Sequence, residues 1–322
     1  MLHIGSDAMN VSLYSFAIVL IIFCALLCGC VEVPHDKKWG IYALDLQTQR
    51  ISLIYSTSSQ LTTLRLNTDG DTFVFSQFFG GDTYEYAEIC TISLNGNNLQ
   101  RLTNNSLWDL YPTWSPNGSQ IAFLSLRDKD LDIYLMNRDG TEASMLYDSG
   151  SHDADIHWID DMIVFTSNSS IWKINDDGSK PIKITNPPRA GEWGNANLPF
   201  GDYDPQLNQD ASKIVFERLV DDTSVHGNYN IFMINIDGTS EIQLTNNSYS
   251  QGFPTWSHDG ESIAFLVAAI NDQGTYDLYR MDANGMNIEC IVPDYIPDAF
   301  LCHVPIFSHD DSKIYFIGEW WD

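Results

Sequence analysis

Positive charge is what the sequence has least of. Only 16 of its 322 residues are Lys or Arg, against 43 Asp or Glu, and the formal net charge is −27. A surface of that sign repels phosphate backbones and speaks against nucleic acid as a partner. It suits an exported surface, or one that meets cations. Cysteine is scarce as well: Cys24, Cys28 and Cys30 crowd the N-terminus, leaving Cys90, Cys290 and Cys302. No Cys-x-x-Cys spacing occurs, which removes the common zinc and dithiol arrangements. Catalytic signatures are missing too. There is no Gly-x-Ser-x-Gly elbow, no His-Glu-x-x-His, no phosphate-binding loop and no dinucleotide fingerprint, so no enzyme is expected. Apolar residues are not lacking: at 44% hydrophobic and 12% aromatic, the chain has enough to bury a globular core.

Residues 11–29 are almost wholly apolar and run into Cys30. Leu27-Cys28-Gly29-Cys30 has the form of a lipobox, with Cys30 the residue to be lipidated after cleavage. The other reading is an uncleaved anchor helix, since about 17–25 apolar residues span a bilayer. No Lys or Arg precedes the apolar run, Lys37-Lys38 follows it, and a start at Met9 gives a tidier signal. Both readings make the remainder exported and tethered. They divide the chain into a signal or anchor at 1–30, a tether at 31–38 and a domain at 39–322. In that setting Cys290 with Cys302 is a candidate disulfide that geometry decides. Cys90 takes a strand position where other repeats carry an aromatic, and core packing is its expected role.

The domain repeats itself. Phe73-Val74-Phe75, Ile121-Ala122-Phe123, Ile163-Val164-Phe165, Ile214-Val215-Phe216, Ile263-Ala264-Phe265 and Ile314-Tyr315-Phe316 are copies of one strand, their phenylalanines 48, 42, 51, 49 and 51 residues apart. A first strand precedes each copy, as in Pro112-Thr113-Trp114 and Pro254-Thr255-Trp256. A third follows and ends at Asn95-Gly96, Asp139-Gly140, Asp177-Gly178, Asp237-Gly238 or Asn284-Gly285, with a fourth beyond. Four strands every 40–50 residues or so is the period of a β-propeller blade. The last copy has two strands only, and the run from Trp39 to Tyr55 supplies two more. An all-β, six-bladed propeller is therefore expected, its last blade closed by N- and C-terminal strands so that no sheet edge stays open.

The stretch from Arg101 to Gly140 resembles the TolB-like propeller family. It carries Arg101-Leu102-Thr103, Asp109, Pro112, Trp114-Ser115-Pro116, Ile121-Ala122-Phe123, Ile133-Tyr134, Met136-Asn137 and Asp139-Gly140. The phrase returns at Leu244-Thr245, Pro254, Trp256-Ser257, Asp259-Gly260, Ile263-Ala264-Phe265 and Tyr279. The resemblance covers roughly residues 39–322 and rests on packing and turn positions, so it implies the fold more than an activity. The member that names the family carries an α/β domain before its propeller, and nothing here matches that domain. Other related propellers gate serine oligopeptidases or act as polysaccharide lyases with channel histidines around a metal. His152, His157 and His303 are the candidates for the latter.

Blade connectivity places the short Gly turns on one face of the disc and every long insertion on the other. Binding residues ride on long loops held by a rigid scaffold, so the long-loop face is the expected working face. Its largest insertion, residues 186–204, brings Arg189, Glu192, Trp193, Phe200 and Tyr203 to the mouth between blades three and four. Either these recognise a peptide or sugar, or the loop folds over its own aromatics. Asp109, Asp153 and Asp202 stand three residues before the proline position of their first strands, and Asp155 and Asp204 one before it. Converging, they would hold Ca²⁺; dispersed, each caps backbone N–H groups. The expected function is a monomeric, membrane-tethered scaffold binding a cell-envelope protein or peptide. The alternative is a glycan-binding or metal-dependent polysaccharide-active propeller.

Overall fold

The computed structural model describes residues 37–81, 84–127, 129–223, 227–268, 276–296 and 300–321. The start at Met1 or Met9, the apolar segment and Cys30 lie outside these residues. Among the described residues no helix is long and apolar enough to cross a membrane.

Everything described is strand and turn. β1 (Lys37–Asp45) and β2 (Arg50–Thr57) open the chain. Blade one is β3 (Leu61–Leu66), β4 (Thr72–Gly81), β5 (Tyr84–Ser93) and β6 (Gln100–Arg101). Blade two is β7 (Asp109–Trp114), β8 (Gln120–Ser125), β9 (Asp132–Asn137) and β10 (Ser144–Tyr147). Blade three is β11 (Asp153–Ile159), β12 (Met162–Ser167), β13 (Ser170–Asn175) and β14 (Ile182–Lys183). Blade four is β15 (Asp202–Leu207), β16 (Lys213–Asp221), β17 (Asn228–Asn235) and β18 (Ile242–Gln243). Blade five is β19 (Gln251–Trp256), β20 (Ser262–Ala268), β21 (Tyr276–Asp282) and β22 (Glu289–Cys290). β23 (Leu301–Phe307) and β24 (Lys313–Trp321) end the described chain.

Blade six joins the two ends in the order β2-β1-β24-β23. β1 pairs antiparallel with β24 from Lys37↔Trp321 to Asp45↔Lys313, so the strand begins inside the expected tether. First strands touch around the ring, from β3 through β7, β11, β15, β19 and β23 back to β3. The sheet count, the four-stranded blades and the closure are as the repeat predicts.

The core lies between blades. Ile121 and Phe123 of β8 pack on Val74 and Ile89 of blade one, while Ala122 and Leu124 pack on Ile156 and Trp158 of blade three. A strand with period-2 side chains thus serves two interfaces, which is why large and small residues alternate along it. Phe73, Phe75, Phe123, Phe165, Phe216 and Phe316 are completely buried. Cys90 joins the core between blades six and one. Cys290 and Cys302 do not form a disulfide: Cys302 is buried between blades five and six, and Cys290 is a free thiol at the surface. In blades one, three, four and five the fourth strand ladders over two residues only, whereas β2, the fourth strand of blade six, runs for eight.

The Gly turns have two causes. Gly178 lies at φ 78°, and a Cβ there would stand 2.5 Å from the Leu146 carbonyl of the preceding blade. Asp177 accepts the Ser179 N–H at 2.9 Å and sets the turn. Gly118 lies at φ 65° with nothing within 4 Å. Gly178→Ala therefore combines backbone strain with an inter-blade clash and should cost about 2–3 kcal/mol, whereas Gly118→Ala should cost about 1 kcal/mol. Urea unfolding of the two variants compares them directly.

Candidate functional site

All six first strands break register with their second strands, at Thr62/Leu64, Leu110/Thr113, Ala154/His157, Tyr203/Gln206, Gly252/Thr255 and His303/Ile306. At each break one residue is left-handed: Thr63, Tyr111, Asp155, Asp204, Phe253 and Val304, with φ between 44° and 54°. These are β-bulges, which bend a strand and leave one residue outside the ladder. None carries glycine; the trace in the sequence is the proline that follows Tyr111, Asp204, Phe253 and Val304, at Pro112, Pro205, Pro254 and Pro305.

Two of the amides at the bulges are claimed by acids of the preceding blade. Asp155 accepts the Asp204 N–H at 3.3 Å, and Glu217 accepts the Phe253 N–H at 2.9 Å. Gly252 makes room for this reach, since a Cβ there would collide with the Glu217 carboxylate. Asp155 and Glu217 are buried, Asp204 partly so. Burial, eased by the Asp204 amide and Arg65, pushes Asp155 up to about 6. Burial also pushes Glu217 up to about 8, against the Phe253 amide and with the charge of Asp155 adding. Asp204 rises well above the carboxylate range through burial and then through Asp155 and Glu217. Arg65 faces this group; burial lowers it to about 10, and Asp204 and Asp155 pull it back. It stays a cation at neutral pH. Arg65 also lines a cavity of about 120 Å³ on the short-turn side, with His157, Gln206, Thr255, His258 and His309.

Of the sequence-predicted acids, Asp109, Asp153 and Asp202 do not converge on one another. Asp109 accepts the Ser125 hydroxyl at 2.5 Å and the Asn105 amide at 2.7 Å. Asp153 accepts the Ser149 hydroxyl at 2.5 Å. Asp202 is held by Arg218 at 2.5 and 2.9 Å, and Arg218 also grips Glu241. Each is fully buried at the start of its first strand, directly opposite Ser125, Ser167 or Arg218 of the second. Asp155 and Asp204 do meet, one blade apart, at the bulges. A different set of acids comes together elsewhere: ligand oxygens of Asp130, Asp132 and Asp148 lie within 4.8 Å of one another.

The three histidines also keep apart. His152 Nδ1 accepts the Leu131 N–H and His157 Nδ1 the Leu207 N–H, each at 3.0 Å. His303 Nε2 lies 3.3 Å from Glu319, with its ring against Trp39 and Tyr276. Burial drives His157 down to about 3, so it stays neutral.

On the long-loop face, residues 186–204 split into a surface and a foundation. Phe200 and Tyr203 are buried beneath the loop, among Ala196, Leu198, Leu219 and Tyr229. The Tyr203 hydroxyl donates to the Pro199 carbonyl at 2.6 Å. Arg189 lies 3.6 Å over the Phe200 ring and bonds Glu192 at 2.7 Å, both in water. Trp193 is 48% exposed. The loop is fastened by Gly191 N–H to the Phe200 carbonyl at 2.9 Å, Phe200 N–H to the Glu192 carbonyl at 2.9 Å and Asn195 N–H to Asp222 at 3.1 Å. Sequence reasoning found this loop by length alone. It missed the larger surface groove, of about 540 Å³, between blades one and two, which is lined by Trp114, Arg138, Gln100 and Asn137.

No family model matches the chain. Over 178 residues it is 27% identical to an uncharacterised protein of Agrobacterium fabrum, covering 52% of this chain and 57% of that protein. Over 65 residues it is 38% identical to the Tol-Pal system protein TolB of Rhizorhabdus wittichii, covering 20% of this chain and 14% of that one. The matches thus span little more than half of the first curated relative and about a seventh of the second. Among solved structures, a protein assigned as TolB from Agrobacterium tumefaciens superposes with TM-score 0.67 at 15% identity, covering 89% of this chain and 99% of its own. TolB from Acinetobacter baumannii gives 0.54 at 14%, over 82% and 66%. An oligogalacturonate lyase from Vibrio parahaemolyticus gives 0.50 at 15%, over 75% and 71%.

Proposed function

On a six-bladed ring whose fold is that of the TolB-like propellers, we propose a non-catalytic scaffold, exported and membrane-tethered, that binds a protein or peptide of the cell envelope. The observation that carries this reading is Trp193. A large aromatic stands half in water on a loop whose backbone and underlying aromatics are already fixed. Little ordering entropy is left to lose on binding, and a tryptophan beside an Arg189–Glu192 pair is the composition of an interface hot spot. The Tol-Pal system protein among the relatives and the lipobox-like Cys30 support the envelope setting. A glycan-active reading would draw on a lyase neighbour of the same fold and on histidines that have separate partners here.

Immobilised full-length chain is expected to capture a partner from envelope extract of its own source. Trp193→Ala should lose at least about 2 kcal/mol of that binding, roughly thirtyfold. Its stability should stay within about 0.5 kcal/mol of the parent, because the ring is exposed. Capture that survives both Trp193→Ala and deletion of residues 190–197 would remove the proposal.

A further inference from the structure

We propose that Asp130, Asp132, Asp148 and Asp153 form a Ca²⁺ site on the long-loop face, in the seam between blades two and three. Two links and two strand starts supply it: the link into β9, the first residue of β9, the link out of β10 and the first residue of β11. Oxygens of Asp130, Asp132 and Asp148 all lie within 4.8 Å of one another. Oxygens bound to one Ca²⁺ at about 2.3–2.6 Å are separated by no more than about 5 Å, so the trio already fits one coordination sphere.

Asp153 is an independent pointer to a ligand. It is completely buried, and its Oδ2 has no hydrogen-bond partner. A buried carboxylate oxygen without a donor is costly unless a cation meets it. Its surroundings tie it to the trio. The Asp153 N–H donates to the carbonyl of Leu131, between Asp130 and Asp132, at 2.8 Å. Its Oδ1 takes the hydroxyl of Ser149, the neighbour of Asp148, at 2.5 Å. The charges of Asp132 and Asp148 both act on it. Among the described residues no lysine or arginine pairs with Asp130, Asp148 or Asp153.

Three carboxylates with this reach, backed by the buried Asp153, match a hard cation that takes roughly 6–8 oxygens in adaptable geometry. Mg²⁺, held at about 2.0–2.1 Å in a strict octahedron, fits them less well. This site differs from the channel acids: Asp155 and Glu217 each spend an oxygen on a bulge amide, and Asp155 and Asp204 face Arg65. The bound ion would fasten blade two to blade three at a seam that is otherwise a line of like charges.

The test is calorimetric titration of the detergent-solubilised full chain with CaCl2 after chelator treatment, alongside thermal melts. One ion per chain is expected, with a rise in Tm that MgCl2 does not reproduce at equal concentration. Asp148→Asn, at an exposed position, and Asp130→Asn should each weaken Ca²⁺ on the order of tenfold while the ion-free Tm is unchanged or raised. Asp155→Asn should bind Ca²⁺ like the parent. Absence of saturable binding overturns the proposal. So does binding that both Asp130→Asn and Asp148→Asn retain, or binding that only Asp155→Asn removes.

Discussion

A chain that begins at Ser58, lacking β1 and β2, is expected to aggregate and to lose its cooperative unfolding transition. β1 is the outer partner of β24 along its whole length, with β23 on the inner side. It also feeds two inter-blade cores at once: Trp39, Ile41 and Ala43 pack against blade one, and Leu44 against blade five. Burying Trp39, Ile41 and Leu44 contributes about 1.5–3 kcal/mol each, so these three alone supply about 5–9 kcal/mol. A whole domain has roughly 5–15 kcal/mol of net stability. Removal also bares β24 as a long, flat edge rich in aromatics, a template for pairing with other chains. Size-exclusion chromatography with urea unfolding distinguishes the outcomes. A monomer with an unchanged midpoint would show that the ring does not depend on its closure. Supplying residues 31–57 as a separate peptide should restore the monomer in part.

The second large effect is on pH. Glu217→Gln is expected to stabilise the ring at pH 8 by about 2 kcal/mol, and to leave it nearly unchanged at pH 5. Asp155 and Glu217 are raised in the folded state to about 6 and about 8, from ordinary values of 3.8 and 4.5. The folded protein therefore holds protons that the unfolded chain has released. Stability from these groups is fully present below about pH 4. It is lost as pH rises through about 6 and then about 8. Asp204 and Asp153 shift in the same direction. The parent should thus melt several degrees lower at pH 8 than at pH 5. A Gln side chain keeps the carbonyl that receives the Phe253 amide and removes the charge, so the variant's melting profile should be flatter. Arg65→Met should steepen it, because the channel's cation would be gone. A parent profile that rises from pH 5 to pH 8 would contradict the electrostatic account of the channel.

The repeat was legible because its causes act on single residues. A turn that needs positive φ and has a carbonyl against it admits glycine, as at Gly178, and a strand that serves two interfaces must alternate, as at Ile121-Ala122-Phe123. These constraints recur in each blade and leave a period that can be counted. The bulges left a partial trace, the prolines that follow four of them. Their left-handed positions hold Thr63, Tyr111, Asp155, Asp204, Phe253 and Val304, six residues with no chemistry in common, because the ring's curvature imposes the conformation. The acids misled for a related reason. Asp109, Asp153 and Asp202 stand at one sequence register, which places them on one circle of the ring, but each has its own local partner: Ser125, Ser149 and Arg218 respectively. Asp130, Asp132 and Asp148 hold no repeated position in the blades and meet through the pairing of β9 with β10 inside blade two, where Tyr147 stands opposite Ile133. Along residues 186–204 the sequence disclosed the aromatics but not their division, which depends on what lies underneath: Phe200 and Tyr203 have Ala196, Leu219 and Tyr229 to cover them, and Trp193 is half exposed.

The residues shared by every blade build the ring, and under the proposed function those that differ on the long-loop face do the binding. Hydrogen–deuterium exchange of the chain, with and without its captured envelope partner, tests that division most directly. Residues 186–204 should gain protection, with the turns at Gly96, Gly178 and Gly238 on the opposite face unchanged. Protection at those turns, with residues 186–204 exchanging as in the free chain, would contradict it.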